Sequence, residues 1–412
     1  VRCSGNWTAH PAFAPTGGGA AVFDGASPQT IFGAAQFAGL TIPTSGNVVA
    51  TGTLTTLGAT IVDGALDTSA AAADLNGVAT VSATGSWNLG TVGASVAAAL
   101  TANGPIFGGG TVTMDGGSLG NLSGSVPIAA SLLVAKGFAT GVNLTSSVVV
   151  NGTFTLQSGT LTMSQTVGSI LTINGAATMA GGVIGGGNSN VLDVDGPLTF
   201  SGTTGVTVPI IRCSGDVVAA ASFAPPAGGP FILDGTAAAT VAGTLISHTV
   251  IVRDGPKAPL GAADIQANFV TVEATGTLTT GLGNLTLARP VGSTTVNVTG
   301  ALEVAAGGTL LLGPSTTATI LAAGTLSMPG TPTQRARIDG ASGGGYALVV
   351  DGTISAKNFD LFRPGTAGLQ INQAATVAAP PNDLRGAAFD FPSSAVGARL
   401  LTVARPSPKD FR

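Results

Sequence analysis

Short runs of alternating apolar and polar residues recur along the whole chain and usually begin or end at glycine. Leu171-Thr-Ile-Asn-Gly175 and Thr295-Val-Asn-Val-Thr-Gly300 are examples. A period of two, rich in Val, Ile and Thr, predicts β-strands with one buried face. Asp-Gly and Asn-Gly dipeptides, which are typical of turns, close many of the runs, and we assign turns to Asp254-Gly255 and Asp339-Gly340 among others. Helical periodicity is hard to find, so we expect an all-β protein.

Many short strands with small residues at their ends favour a parallel β-helix, or β-solenoid. In such a fold one coil cannot bury its own apolar face and does so only by stacking on its neighbours. The 63 glycines suit the narrow corners of such coils. With roughly 20 residues per coil, the chain would form about 20 coils. An array of β-sandwiches is the alternative, but it would normally carry more Tyr, Trp and surface charge.

A longer repeat overlies this pattern. Val1-Arg-Cys-Ser-Gly5 recurs as Ile211-Arg-Cys-Ser-Gly215 at an offset of 210, whereas Ala50-Thr-Gly-Thr-Leu-Thr-Thr56 recurs at 274–280 with an offset of 224. We therefore predict two tandem β-solenoid repeats, 1–210 and 211–412, with an insertion in the second that accounts for its larger offset. The charged, proline-containing segment 253–264 is the expected place, and we predict that it is a projecting loop that tolerates change.

Composition narrows the class of protein. Charged residues make up only 8% of the chain, yet a hydrophobic content of 44% and a net charge of −4 argue against disorder. Gly, Thr, Ser and Asn interrupt every apolar stretch, so we expect no transmembrane helix. The first residues lack a basic region followed by an apolar one, so no signal peptide is expected in this chain.

Side chains suited to catalysis or metal binding are scarce. The two histidines, His10 and His248, are far apart in sequence, and local metal-ligand spacings are missing. The glycine runs lack the Gly-Lys-Ser/Thr ending of a phosphate loop. Asp193 and Asp195 are the close carboxylate pair of note, and we interpret them as strand-edge residues. We therefore predict no enzymatic activity, no cofactor, no metal and, given the acidic balance, no nucleic-acid partner.

Thr-x-Thr steps raise a different hypothesis, binding of ice or another crystalline surface by a flat threonine ladder. Such steps begin at Thr53, Thr111, Thr153, Thr160 and Thr277, with successive sequence intervals of 58, 42, 7 and 117. These intervals do not fit one coil length. We therefore interpret most of these threonines as ordinary solvent-facing strand residues.

Charge is distributed unevenly. Residues 1–210 hold two bases and seven acids, whereas 211–412 hold thirteen bases and twelve acids, and many of the bases lie near the C-terminal end. A soluble capping region is one interpretation. The other is head-to-tail joining of an acidic half to a basic end, which extends into a fibre.

The cysteines occupy matching positions of the two repeats, and three states stay open for them: buried thiols, bridges to another subunit, or an internal bridge if the repeats lie side by side. In one straight rod they would be too far apart to bond to each other. The predicted assembly contacts are Cys3, Cys213, Arg253, Lys257, Arg399, Arg405, Lys409 and Arg412.

The opening stretch resembles a module of large repetitive bacterial cell-surface and secreted proteins that are adhesin-like and form parallel β-helices. Trp7-Thr8, Phe13-Ala-Pro15, Val22-Phe-Asp-Gly25 and Phe37-Ala-Gly-Leu-Thr-Ile42 carry the resemblance. It implies an extracellular or cell-surface location and a structural or adhesive role. We expect a structural subunit of a fibre, sheath or appendage that self-associates into a homopolymer. The alternatives are an adhesin for a cell-surface or polysaccharide partner, a surface- or ice-binding solenoid, and a polysaccharide-active enzyme.

Overall fold

The computed structural model describes most of the chain. It describes residues 1–10, 18–137, 140–164, 168–187, 189–202, 205–207, 210–219, 229–289, 292–341, 345–366, 368–390 and 401–404. The described residues fall into two compact units, Val1–Pro209 (unit 1) and Ile210–Arg412 (unit 2). This division lies one residue from the boundary between the sequence repeats.

Unit 1 is built from short parallel strands, numbered here in chain order. They are β1 (Arg2–Cys3), β2 (Trp7–Thr8), β3 (Ala21–Phe23), β4 (Gln29–Phe32), β5 (Ala35–Phe37), β6 (Leu40–Ile42), β7 (Asn47–Ala50), β8 (Leu54–Thr56), β9 (Thr60–Val62), β10 (Ala65–Asp67), β11 (Ala73–Leu75), β12 (Ala79–Val81), β13 (Ser86–Asn88), β14 (Ala94–Val96), β15 (Leu100–Ala102), β16 (Ile106–Phe107), β17 (Thr111–Met114), β18 (Gly120–Gly124), β19 (Ser131–Ala135), β20 (Gly141–Leu144), β21 (Val148–Val150), β22 (Phe154–Ser158), β23 (Thr160–Met163), β24 (Ile170–Ile173), β25 (Ala177–Met179), β26 (Val183–Gly185), β27 (Val191–Val194), β28 (Leu198–Phe200) and β29 (Gly205–Val206).

Strands of unit 1 pair with strands of the neighbouring coils, so consecutive coils stack in register. One face is the series β1-β3-β6-β9-β12-β15-β18-β20-β23-β26-β29, and a second is β2-β4-β7-β10-β13-β16. A third runs from β5 through β8, β11, β14, β17, β19, β22 and β25 to β28. Paired residues are 18 to 24 positions apart in sequence. This spacing is the length of one coil.

The alternating sequence places apolar side chains inside each coil. In β22, Phe154 and Leu156 are buried while Thr155 between them is partly exposed. Because the strands pair in register, equivalent residues of successive coils lie above one another, and Phe154 lies between Leu132 of the preceding coil and Ala177 of the next. The interior is therefore a set of apolar columns that no single coil could bury by itself.

Unit 2 is also a stack of parallel strands. They are β30 (Ile210–Cys213), β31 (Val217–Ala219), β32 (Pro230–Leu233), β33 (Ala239–Thr279), β34 (Asn284–Leu287), β35 (Thr295–Val298), β36 (Ala301–Glu303), β37 (Thr309–Leu312), β38 (Thr317–Ile320), β39 (Thr325–Pro329), β40 (Ala336–Gly340), β41 (Ala347–Val350), β42 (Thr353–Lys357), β43 (Phe359–Phe362), β44 (Leu369–Ile371), β45 (Thr376–Val377), β46 (Asp383–Arg385), β47 (Ala388–Asp390) and β48 (Leu401–Val403). Its paired residues are 19 to 32 positions apart, so its longest coils exceed those of unit 1.

The long extended segment β33 contains the predicted loop at 253–264. It pairs in turn with β31, β32, β34, β35 and β36, and the paired residues nearest to the predicted loop are Val252 before it and Ala262 within it. Ala263 and Lys257 are buried, whereas Leu260 is largely exposed. Projection of this segment from the coil stays a prediction, since no strand pairing between described residues covers residues 253–261.

Turn glycines lie where consecutive coils approach most closely. A Cβ atom at Gly175 would lie 2.4 Å from the carbonyl oxygen of Gly152, and one at Gly196 would lie 2.3 Å from that of Gly175. Such distances exclude any side chain larger than hydrogen without movement of the backbone.

The assignment of Asp339-Gly340 to a turn is wrong, because both residues belong to β40. Asp254-Gly255 lies within the range of β33, but Gly255 has a φ of 62°, which is typical of a turn glycine.

The predictions of an all-β chain and a parallel β-solenoid are confirmed, and the described residues contain no α-helix. The described residues form about 16 coils. The sequence estimate of about 20 coils was made for the whole chain and assumed roughly 20 residues per coil, whereas paired residues are up to 24 positions apart in unit 1 and up to 32 in unit 2.

Candidate functional site

The two cysteines have the same local geometry at the start of each unit. Cys3 pairs with Phe23, and its thiol donates to the carbonyl of Gly5 at 3.0 Å. Cys213 pairs with Leu233, and its thiol donates to the carbonyl of Gly215 at 3.5 Å. Cys3 is a partly exposed free thiol.

The two thiols differ in how deeply they are buried. Cys213 is fully buried, and this burial raises its pKa to about 12. A buried, protonated thiol cannot reach another subunit while unit 2 is folded. Cys213 is therefore removed from the predicted assembly contacts, and Cys3 stays among them.

Lys257 also proves to be an interior residue. Its side chain is only 1% exposed, and its ammonium donates to the carbonyls of Gly235 at 3.0 Å and Ala237 at 3.2 Å. Burial lowers its pKa, with nearby carboxylates such as Asp234 opposing the shift. The prediction of a surface contact at Lys257 is therefore wrong. Sequence reasoning assumed that a cation in a low-charge chain faces solvent, whereas this one satisfies carbonyls of the preceding coil.

Lys136 has a similar role in unit 1 that the sequence analysis did not foresee. It is 1% exposed and donates to the backbone carbonyls of Ala97 and Asp115 in two earlier coils. Burial lowers its pKa, and the charge of Asp115 partly offsets this. The signal in the sequence is its place at the end of the apolar run Ser131-Leu-Leu-Val-Ala-Lys136, where it continues the inward alternation of Leu132 and Val134.

Arg253, another predicted contact, lies on the surface of unit 2. Its side chain is 35% exposed and forms an ion pair with Glu273 at 3.1 Å. The remaining predicted contacts lie outside the described residues: Arg399, Arg405, Lys409 and Arg412.

Several other bases of unit 2 are held in an ion-pair cluster on its C-terminal coils. Asp339 is only 2% exposed and binds Arg337 with one carboxylate oxygen and Arg363 with the other, the latter at 2.8 Å. Arg337 also stacks on Phe362, with its guanidinium carbon 4.2 Å from the ring centroid. Arg335 forms an ion pair with Asp360.

The two arginines dominate the electrostatics of this cluster. Burial alone would raise the pKa of Asp339, but hydrogen bonds from Arg363 and Arg337, together with their charges, hold it below its usual value. These arginines already have anionic partners inside unit 2. The cluster therefore offers less positive charge to an external acidic surface than the sequence count of bases suggested.

A column of outward-facing residues runs along the third face of unit 1, and we call it the threonine column. Its members are partly exposed, and each pairs in register with the next one. They are Gln36, Thr55, Asp74, Ser95, Thr113, Leu133, Thr155, Thr178 and Thr199. At about 4.8 Å per coil, eight steps span about 38 Å.

Neighbouring members and flanking residues share hydrogen bonds across coils. The Ser95 hydroxyl donates to the Asp74 carboxylate at 3.0 Å. Beside the column, the Thr153 hydroxyl donates to Ser131 Oγ at 2.9 Å. Unit 2 carries a comparable face, with Thr325 paired to Thr353 and Ser327 paired to Ser355. Both units thus display rows of hydroxyl groups on one face.

The threonine column explains why the intervals between the Thr-x-Thr steps fit no single coil length. Three coils of unequal length separate Thr55 from Thr113. Two further coils, again unequal in length, separate Thr113 from Thr155. Because the coils differ in length, the sequence intervals did not show that Thr55, Thr113 and Thr155 lie on one face. Thr160 and Thr162 do belong elsewhere, since β23 lies on the first face.

Other candidate groups do not converge in the described structure. Asp193 lies within β27 and Asp195 directly follows that strand, where it is exposed. His10 is exposed, and His248 packs edge-on against Phe269 with ring centroids 5.6 Å apart. Among the described residues, no group of three or more His, Cys, Asp or Glu side chains is placed to hold a metal ion.

The part of the chain that the structure describes contains no helix with the length and apolar character to span a membrane. No family model, curated protein or solved structure matches this chain.

Proposed function

We propose that the protein is a non-enzymatic structural β-solenoid of the cell surface or extracellular space that assembles with copies of itself. The observation that carries this proposal is the parallel stacking of coils through backbone hydrogen bonds in both units. Strands in such a stack can pair with further strands from another chain. The proposed location rests on the resemblance of 1–42 to bacterial surface modules.

The ion pairs of unit 2 bear on how copies would join. Arg335, Arg337, Arg363 and Arg385 each pair with an aspartate of the same unit. Charge attraction between an acidic and a basic half is therefore a weaker basis for assembly than strand pairing. Assembly driven by strand pairing should persist at high salt, which screens exposed charges strongly.

Negative-stain electron microscopy of the full chain, combined with light scattering over a range of concentrations, tests the proposal. We expect filaments or regular oligomers at both about 0.05 M and about 1 M salt. Monomeric particles at all concentrations would contradict self-assembly. Filaments that dissolve at high salt would support the charge-driven alternative instead.

The threonine column favours adhesion as a second candidate function. It presents hydroxyl groups over several consecutive coils of unit 1, on a face where strand pairing leaves the side chains accessible to a ligand. A subunit with such a face can both assemble and bind an extended partner.

A further inference from the structure

We propose that the threonine column of unit 1 binds an extended, neutral polysaccharide whose chain lies along the column. This inference deepens the proposed adhesive function and rests on it. It begins with the chemistry of the column, in which five of the nine residues are threonine and one is serine. A hydroxyl group both donates and accepts hydrogen bonds, as do the hydroxyl groups of a sugar.

Charge complementarity indicates a neutral ligand. The nine column residues include neither lysine nor arginine, and their one charged member is Asp74. An acidic polysaccharide or a nucleic acid would find no cation there. A carboxylate such as Asp74 can instead accept hydrogen bonds from sugar hydroxyls, as it does from the hydroxyl of Ser95 at 3.0 Å.

The spacing of the column suits a polymer. Successive column residues come from successive coils, so they lie about 4.8 Å apart. This distance is comparable to the length of one pyranose residue in an extended β-linked chain. One coil of unit 1 would therefore meet one sugar residue, and the uninterrupted run Thr155, Thr178 and Thr199 would meet three.

Two other occupants fit the column less well. The middle of a protein–protein interface is enriched in aromatic residues, Met and Arg, and the column holds none of these. An ice surface requires an unbroken two-dimensional array, but Asp74 and Leu133 interrupt the threonines. A polysaccharide, with its own internal flexibility, tolerates such interruptions.

The decisive variant is the triple substitution Thr155→Val, Thr178→Val and Thr199→Val in the full chain. Valine keeps the β-branched shape and replaces the hydroxyl group with a methyl group, and all three positions face outward. The matched control is Thr41→Val, Thr80→Val and Thr101→Val. These three threonines are also partly exposed, but they lie on β6, β12 and β15 of the first face.

Depletion isotherms on microcrystalline cellulose and on chitin measure the binding, with polygalacturonate as the acidic comparison. We expect the unmodified chain to bind cellulose or chitin and the Thr155/Thr178/Thr199 variant to bind at least about tenfold more weakly, with the control variant within about twofold. Three lost hydrogen bonds of ordinary strength account for a change of at least this size. Circular dichroism confirms that both variants are folded.

Three results would overturn the inference: retention on neither cellulose nor chitin, equal weakening in both variants, or binding confined to polygalacturonate. Inhibition of ice recrystallisation without polysaccharide binding would assign the column to ice instead. Electron microscopy of the same samples separates this inference from the proposed assembly. Filaments that bind no polysaccharide contradict only the inference, and monomers that bind it contradict only self-assembly.

Discussion

Units 1 and 2 use the same parallel stacking but differ in the length of their coils. Paired residues are 18 to 24 positions apart in unit 1 and 19 to 32 positions apart in unit 2. The shorter coils leave little room for loops, so their outward residues form long columns in register. The extra residues of unit 2 form turns, such as the one in which Thr331 N–H donates to the Gln334 carbonyl at 2.8 Å.

The two units also differ in where their charged side chains lie. The turn of Thr331 and Gln334 leads into Arg335 and Arg337, which bind Asp360 of β43 and Asp339 of β40. Each unit also buries a lysine, Lys136 in unit 1 and Lys257 in unit 2. The shorter coils of unit 1 thus carry fewer charged residues on their surface, whereas the longer coils of unit 2 carry ion pairs at particular places.

The largest expected difference between the units concerns their equivalent cysteines. Burial raises the pKa of Cys213 to about 12 and also keeps its sulfur away from reagents in solution. Cys3 is partly exposed. We expect maleimide or iodoacetamide to modify Cys3 at least about a thousandfold faster in the folded protein. Peptide mapping by mass spectrometry measures the two rates.

Unfolding in guanidinium should abolish this difference in thiol reactivity, which makes it the internal control. Equal rates in the folded protein would show that the start of unit 2 opens readily. A disulfide-linked dimer that includes Cys213 would contradict its burial.

Core substitutions test whether the two units unfold separately. Phe154 in unit 1 and Phe359 in unit 2 are both fully buried. Phe154→Ala and Phe359→Ala should each lower the free energy of unfolding of the unit concerned by about 3–5 kcal/mol. Differential scanning calorimetry of the full chain should show that each variant lowers the melting temperature of one transition.

The neighbouring substitution Thr155→Ala is the control for Phe154→Ala, because Thr155 faces outward in the same strand. We expect it to change the free energy of unfolding by no more than about 0.5 kcal/mol. If either core variant shifts the whole unfolding profile as one transition, the two units form one cooperative block.

Substitution of a corner glycine should lower the free energy of unfolding by less than the core substitutions do. Gly175→Ala places a methyl group against the Gly152 carbonyl oxygen and should cost about 1–3 kcal/mol, measured by guanidinium denaturation of the full chain. Gly117→Ala is the matched control, because nothing lies within 4 Å of a Cβ atom there. Equal stability of the two variants would mean that the corner of unit 1 shifts at no cost.

The sequence predicted the fold through local features that do not depend on coil length. Alternation in runs such as Leu171–Ile173 and glycine at Gly175 follow from strand and turn geometry within a few residues. The face on which Thr55, Thr113 and Thr155 lie depends on the lengths of all intervening coils. These lengths vary by several residues, so a search for constant spacing could not find the threonine column.

The burial of Lys136, Lys257 and Asp339 was not predicted, for a related reason. Lys257 is satisfied by carbonyls about 20 residues earlier, and Asp339 by an arginine 24 residues later. Such partners become neighbours only after the coils stack. Local sequence therefore predicted a projecting loop for the first residue and a turn for the second.

The ion-pair cluster of unit 2 gives the smallest and most pH-sensitive effect. Asp339→Asn removes the anion that Arg337 and Arg363 share, and the free energy of unfolding at pH 7 should fall by about 1–2 kcal/mol. Both arginines are more than 40% exposed, so solvent screening keeps the effect below that of a fully buried pair. Asp390→Asn is the control, since that residue is exposed.

The direction of the pH dependence follows from the lowered pKa of Asp339. Its stabilising contribution is complete above the unfolded-state pKa of about 3.9 and is lost as the pH falls through the lower folded-state pKa. The difference in stability between the original chain and Asp339→Asn should therefore be constant from pH 9 to about pH 5 and shrink below about pH 4. Guanidinium denaturation curves at each pH measure it. A difference that persists undiminished at pH 2 would show that the substitution acts through packing against Arg337 and Phe362 and not through the charge of Asp339.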